Sequence, residues 1–277
     1  MAKSFTVACV QTNSGADMDA NVEAAVALVQ EARGAGADFI MMPENVGLME
    51  QSSKVIRAHA APAEAHPALK AFQAAAREVG AWLLVGSLPV PSPDGRIANR
   101  SFLLDATGAV VAHYSKIHMF DADHPGGESY RESRTYEPGA AARIAETPWG
   151  ALGMTVCYDL RFPQLYRGLA QAGARYLSVP SAFTKVTGEA HWHVLLRARA
   201  IENGCFVFAP AQCGRHYDNR RTFGHSLIVD PWGKVLADGG DEVGFVSAEI
   251  DPARIDEARA MIPSLQHDRP FAAPAAS

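Results

Sequence analysis

Nine residues near the start of the chain, Ala35-Gly-Ala-Asp-Phe-Ile-Met-Met-Pro43, return as Ala172-Gly-Ala-Arg-Tyr-Leu-Ser-Val-Pro180. Each copy reads as a helix end running into a buried strand. A second echo follows the same order: Ser101-Phe-Leu-Leu-Asp-Ala-Thr-Gly-Ala-Val-Val-Ala112 returns as Ser226-Leu-Ile-Val-Asp-Pro-Trp-Gly-Lys-Val-Leu-Ala237, each a hairpin pattern. Asp-x-x-Gly hairpins arise from common turn chemistry alone, but the nine-residue match in matching order predicts two halves built alike. Two sheets, each with helices on one face, must bury their other faces, and stacking them on each other does so in a shared core. The expected fold is α/β, a four-layer α-β-β-α sandwich of two pseudo-symmetric halves.

The local patterns agree. Phe5 to Gln11 reads as a buried strand, Asp19 is a candidate cap for a helix bearing Val22, Ala25, Val26 and Val29, and Gly34 and Gly36 end it. Phe39 to Glu44 reads as the next strand, which puts Glu44 at a strand C-terminal end, where open α/β sheets bind ligands. A helix from Pro67 to Gly80, a strand from Trp82 and a hairpin from Ser101 to Tyr114 follow, delivering Lys116 just past the second arm. A short apolar run then stops at Cys157, and Pro163 opens a helix that Gly173 ends. A thiol facing that helix N-terminus would be stabilised as thiolate; a lone Cys after Met-Thr-Val also fits a small buried hydrophobe. Further helices are expected over Trp192 to Asn203 and after Asp251, with Phe206 to Ala211 as a central strand.

Composition narrows the function. The 277 residues are 48% hydrophobic and 20% charged, enough for a large core, and the net charge of -5 supplies no basic footprint for nucleic acid. The four cysteines, Cys9, Cys157, Cys205 and Cys213, form neither a Cys-x-x-Cys pair nor zinc-site spacing, so no metal, cofactor or disulfide framework is expected. No charged-then-apolar leader and no membrane-length apolar run occurs, which predicts a cytoplasmic protein with a small-molecule substrate.

Met42-Pro43-Glu44, Ser115-Lys116-Ile117-His118-Met119-Phe120-Asp121 and Cys157-Tyr158-Asp159-Leu160-Arg161-Phe162-Pro163 resemble the three ordered signatures of the nitrilase, or carbon-nitrogen hydrolase, superfamily. The similarity runs from Thr6 to about Pro270. It implies one hydrolase domain over 1–277, with 263–277 as a tail, and a homodimer or higher homo-oligomer. It also implies Cys157 as nucleophile, Glu44 as general base, and Lys116 with the backbone N–H of Tyr158 as oxyanion donors. Glu132 matches a further family glutamate that would hold Lys116 charged; Glu137 and Glu128 lie near the same Pro-Gly. Taken singly, each of these charges also fits a solvated surface position.

Arg161 suits a substrate carboxylate, and a structural ion pair fits it equally. Phe183 and Thr184 line the same pocket by resemblance. The run from Ser181 to Trp192 and the Leu195-Leu-Arg-Ala-Arg-Ala-Ile-Glu segment are similar to the Nit branch, whose substrates are short dicarboxylic monoamides and deaminated glutathione. Ala211-Gln-Cys-Gly-Arg-His216 with Gly224-His-Ser lies nearest the deaminated glutathione group, where a carboxylate-bearing Cys-Gly leaves and Arg215, His216 or Arg220 would meet it. An ω-amidase acting on α-ketoglutaramate and a non-catalytic α/β interaction protein are the alternatives. The absence of a Gly-x-Ser-x-Gly elbow disfavours a serine hydrolase.

Overall fold

The computed structural model describes residues 3–92, 94–123, 129–217 and 220–273. The first half runs β1 (Phe5–Gln11), α1 (Met18–Gly34), β2 (Phe39–Met41), α2 (Ser53–His59), α3 (Pro67–Val79), β3 (Trp82–Pro91), β4 (Ile97–Leu104) and β5 (Val110–Ser115). A short antiparallel pair, β6 (Asp121–Asp123) and β7 (Ser129–Arg131), and a 3-10 turn over Glu132–Arg134 follow. The second half comprises β8 (Arg143–Thr147), β9 (Gly150–Met154), a 3-10 turn over Cys157–Arg161, α4 (Pro163–Gln171), β10 (Tyr176–Ser178), α5 (Lys185–Asn203) and β11 (Phe206–Ala209). The small ribbon β12 (Cys213–Arg215) and β13 (Arg221–Phe223), then β14 (Leu227–Val229), β15 (Val235–Asp238), β16 (Gly244–Ile250) and α6 (Ala253–Met261) complete it.

The two sheets have the same plan. One is ordered β16-β1-β2-β3-β4-β5, the other β8-β9-β10-β11-β14-β15, each with three parallel central strands flanked by antiparallel neighbours. Both sequence echoes fall on equivalent strands, β2 with β10 and the β4–β5 hairpin with β14–β15. Alternation along the strands then makes the layers. Val7 and Cys9 of β1, with Phe39, Met41 and Leu84, share one core with Leu152, Met154 and Phe206 of the other sheet. Ala8 and Val10, with Ile40 and Leu83, face Ala25 and Val29 of α1 and Phe72 of α3. Because side chains of a strand alternate between faces, β1 to β4 each serve an inter-sheet core and a helix-facing core at once.

Several local expectations shift. The cap of α1 is Asp17, whose carboxylate accepts from the N–H groups of Asp19 and Ala20, because Asp19 already lies inside the first turn. α2 was not anticipated; Ser52 caps it, and only Ile56 is buried, too little apolar periodicity to read. α5 starts at Lys185, seven residues before Trp192, where Thr184 caps it. Strand β2 ends at Met41, so Glu44 stands in the loop beyond it. Cys157 does not lead directly into α4, since a 3-10 turn over Cys157–Arg161 comes between them. Among the described residues no helix is long and apolar enough to cross a membrane.

Two glycines are required by close approach. A Cβ on Gly86 of β3 would lie 2.2 Å from the Met42 carbonyl oxygen and 2.3 Å from that of Pro43, so this strand can lie against the Glu44 loop only without a side chain there. A Cβ on Gly139 would lie 2.1 Å from the Ser115 carbonyl oxygen, and the Gly139 N–H donates to the Lys116 carbonyl at 2.7 Å.

Candidate active site

Three chain segments that leave strand ends of the two sheets carry the expected residues. Glu44 follows β2, Lys116 follows β5 directly, and Cys157 follows β9. All three are buried and line one cavity of about 880 Å³, counted out to its open mouth, together with Glu132, Tyr158 and Arg161. Phe183 and Thr184 line it as well.

Burying an ion is costly unless it is paired and fully hydrogen-bonded, and here the pairing is dense. Lys116 Nζ lies 3.0 Å from Glu44 Oε1 and 2.9 and 2.8 Å from the two oxygens of Glu132. Asn99 Nδ2 donates to Glu44 Oε1 at 3.0 Å and to Glu132 Oε1 at 3.3 Å. The backbone N–H groups of Ala182 and Phe120 donate to Glu44 Oε2 and Glu132 Oε2, at 3.0 and 2.6 Å. Burial works against the Lys116 charge, but Glu132 and then Glu44 outweigh it and hold the ammonium well above the usual lysine range.

The thiol is pushed the other way. Burial first, then the Glu44 charge, raises the Cys157 pKa far above the ordinary thiol range, and Lys116 and the Ala182 N–H only partly oppose this. A thiol raised in this way favours a base acting at the moment of reaction over a standing thiolate. Its backbone has φ +50°, in the left-handed region, and its N–H donates to the Pro180 carbonyl at 2.9 Å.

Asp159 explains how so unusual a turn is held. Wholly buried, its carboxylate accepts from the Val156 N–H, the Tyr114 hydroxyl, the His118 N–H and His118 Nδ1, at 2.7 to 3.0 Å. It thereby locks the Cys157 turn to the segment that carries Lys116. Arg199 of α5 adds a second tie, donating from Nε and Nη2 to the Leu160 carbonyl at 3.1 and 2.7 Å. Neither Asp159 nor Asn99 was singled out from sequence. Asp159 sits inside the quoted Cys157 signature, whereas nothing around Asn99 marks it.

Of the glutamates near Pro138-Gly139, Glu132 reaches Lys116, Glu137 lines a separate groove, and Glu128 lies outside the described residues. Arg161 stands over the rings of Phe183 and Tyr158, 5.3 and 5.9 Å from their centroids, and makes no ion pair among the described residues. The Thr184 hydroxyl is taken up in capping α5, with Thr187 Oγ1 at 2.8 Å. Arg220 lines the cavity, but Arg215 does not, and His216 has both ring nitrogens engaged, with the Ser14 carbonyl and Thr222 Oγ1 at 2.8 and 2.7 Å. One surface group, His193, His225 and Asp238, has a spacing that could hold a metal ion. Its hydrogen bonds already account for it, since each Asp238 oxygen meets one imidazole.

The family model described as carbon-nitrogen hydrolase matches residues 6–260. A deaminated glutathione amidase from Yersinia enterocolitica is 44% identical over 271 residues, covering 96% of this chain and 94% of the relative. Among solved structures, Saccharomyces cerevisiae Nit3, a member of branch 10 of the nitrilase superfamily, superposes with a TM-score of 0.85 at 30% identity, covering 94% and 95% of the two chains. An amidase mutant from Nesterenkonia sp. AN1, showing covalent addition of the acetamide moiety of fluoroacetamide at its active site cysteine, has a TM-score of 0.79 at 25% identity, covering 95% and 96%.

Proposed function

The chain belongs to the carbon-nitrogen hydrolase family and is a C–N hydrolase of the nitrilase superfamily's Nit branch, and on that premise we propose that it hydrolyses deaminated glutathione through a thioester on Cys157. Glu44 takes the thiol proton as sulfur attacks the amide carbonyl. The carbonyl oxygen becomes an oxyanion held by Lys116 and the Tyr158 N–H, where one lost donor typically costs about 10²- to 10³-fold in rate. As the C–N bond breaks, Glu44 returns the proton to the departing nitrogen, and Cys-Gly leaves. Glu44 then deprotonates a water that attacks the α-ketoglutaryl thioester, the C–S bond breaks, and the proton restores the thiol. Glu132 keeps Lys116 charged throughout. Arg161 binds the keto-acid carboxylate, with Phe183 and Thr184 shaping the wall.

The observation that carries the reading is a buried thiol lining one cavity with a carboxylate that itself lies 3.0 Å from a buried ammonium. The substrate rests on the relative's name. The Cys157→Ala variant tests the chemistry: it should fold as the parent does by circular dichroism and release no Cys-Gly. Full turnover by that variant would sink the mechanism, and a parent enzyme hydrolysing α-ketoglutaramate but not deaminated glutathione would replace the substrate.

We also infer a homodimer. Its support is an exposed apolar face on α5, where Val186, Val194 and Ile201 recur at helical spacing, with exposed Trp232 next in the chain to Gly233, which packs on Ile201. Sedimentation of Val194→Asp as a species half the parent's mass is the expected result.

A further inference from the structure

The structure assigns a second carboxylate-binding point to this cavity, at Arg220, for the amine that leaves; this deepens the amidase reading and rests on it. Arg220 Nη2 donates to the Ala182 carbonyl at 2.9 Å, and its guanidinium lies 4.6 Å from the centroid of the Tyr130 ring. Its Nε is buried and has no hydrogen-bond partner, and no carboxylate among the described residues pairs with it. The other arginines nearby contrast with it. Arg131, also in the cavity wall, pairs with Asp123 at 2.8 Å, and buried Arg199 has both the Leu160 carbonyl and Glu202.

A half-buried guanidinium whose buried Nε is an unused donor, with no counter-charge among the described residues, is completed by an anionic ligand. The planar fork selects a carboxylate, and the Tyr130 ring under it fixes the plane in which that carboxylate must lie. Position decides which part of the substrate it meets. Arg220 grips the carbonyl of Ala182, whose N–H grips Glu44, the group that returns a proton to the leaving nitrogen. With Arg161 on the acyl part, two guanidiniums without ion-pair partners among the described residues match a substrate bearing two carboxylates. The class is therefore an amide whose departing amine carries a carboxylate, a short peptide rather than ammonia.

The test compares deaminated glutathione, its C-terminal carboxamide and α-ketoglutaramate, on the parent enzyme and on Arg220→Met and Arg220→Lys. The parent should prefer the acid to the carboxamide by about 10- to 100-fold in kcat/KM, mainly through KM, the size of one charge-assisted hydrogen bond. Arg220→Met should erase that preference, read as the ratio of the two kcat/KM values so that any general loss through the Ala182 contact cancels, with folding checked by circular dichroism, and Arg220→Lys should restore part of it. A parent that treats acid and carboxamide alike overturns the Arg220 site and leaves the amidase reading standing, as does equal loss on all three substrates in Arg220→Met. A parent active on α-ketoglutaramate alone overturns the substrate reading and this site together.

Discussion

The backbone N–H of Ala182 donates to Glu44 Oε2 at 3.0 Å, so a carboxylate from one half of the molecule is fixed by the chain leaving a strand of the other. The two positions are near-equivalents: Glu44 follows Pro43 beyond β2, and Ala182 follows Pro180-Ser181 beyond β10. The site thus lies on the seam of the internal repeat. With Oε1 held by Lys116 and Asn99, both Glu44 oxygens are occupied before any substrate arrives, and little of the carboxylate's orientation remains to be bought during reaction.

Replacing that carboxylate by an amide should leave the fold and remove the base. Glu44→Gln is expected to lower kcat by about 10²- to 10⁴-fold. Steady-state release of Cys-Gly from deaminated glutathione measures it; a loss under fivefold would assign the base elsewhere. The same variant removes a charge that raises the Cys157 pKa, so its thiolate absorbance near 240 nm, taken as a difference from Cys157→Ala, should appear at lower pH than in the parent.

Asn99 acts through Glu44 and Glu132, which makes it a positioning residue. Asn99→Ala should reduce kcat by about 10-fold or more with KM nearly unchanged, the loss expected for one hydrogen bond to a charged group. Asn99→Asp puts a further negative charge against both glutamates and should be worse than Ala. If Asp equals the parent in kcat, the bridge has no role in rate.

Stability should fall on the alkaline side. Cys205 and Cys213 are raised by burial to about 11 from an ordinary 9.0, and Cys9, Cys157, Tyr114 and Tyr166 are raised further by the same cause. Above about pH 9 the unfolded chain has shed protons that the native state retains, so the unfolding free energy decreases as pH rises. Lys116, raised as well, adds to the trend with the same sign once the pH reaches the ordinary lysine range. Thermal melts between pH 8 and 11 should show Tm dropping steadily from about pH 9; a flat profile would mean these groups ionise in place.

Gly86→Ala separates fold from chemistry. Its methyl would meet the carbonyl oxygens of Met42 and Pro43 well inside contact distance, forcing apart β3 and the Glu44 loop. A destabilisation of about 1 to 3 kcal/mol or more is expected, measurable by urea unfolding, with activity falling because Glu44 moves. Parent-like stability would show that the loop can shift freely.

Much of this was legible in the chain. The echoes of Ala35 to Pro43 and Ser101 to Ala112 foretold the duplicated sheet plan, because a helix end entering a buried strand and an Asp-x-x-Gly hairpin are local events with local signals. α2 escaped because a helix of one buried residue has no apolar period, and the cap at Asp17 was misassigned by two residues because two aspartates compete there. Glu44, Lys116 and Cys157 were proposed from three ordered motifs and Glu132 from a match near Pro138-Gly139, and the fold brings all four to one cavity.

What the sequence determined by itself was the alternation of apolar residues, the turn chemistry and hence the layers, all set by neighbours a few positions away. What only the tertiary structure decided was the electrostatic state of the site. The raised thiol of Cys157, the carboxamide of Asn99 between two glutamates and the buried, unpartnered Nε of Arg220 depend on which groups lie within a few ångströms after folding. Such fields fall off with distance through space and strengthen where water is excluded, and neither separation nor burial is written along the chain.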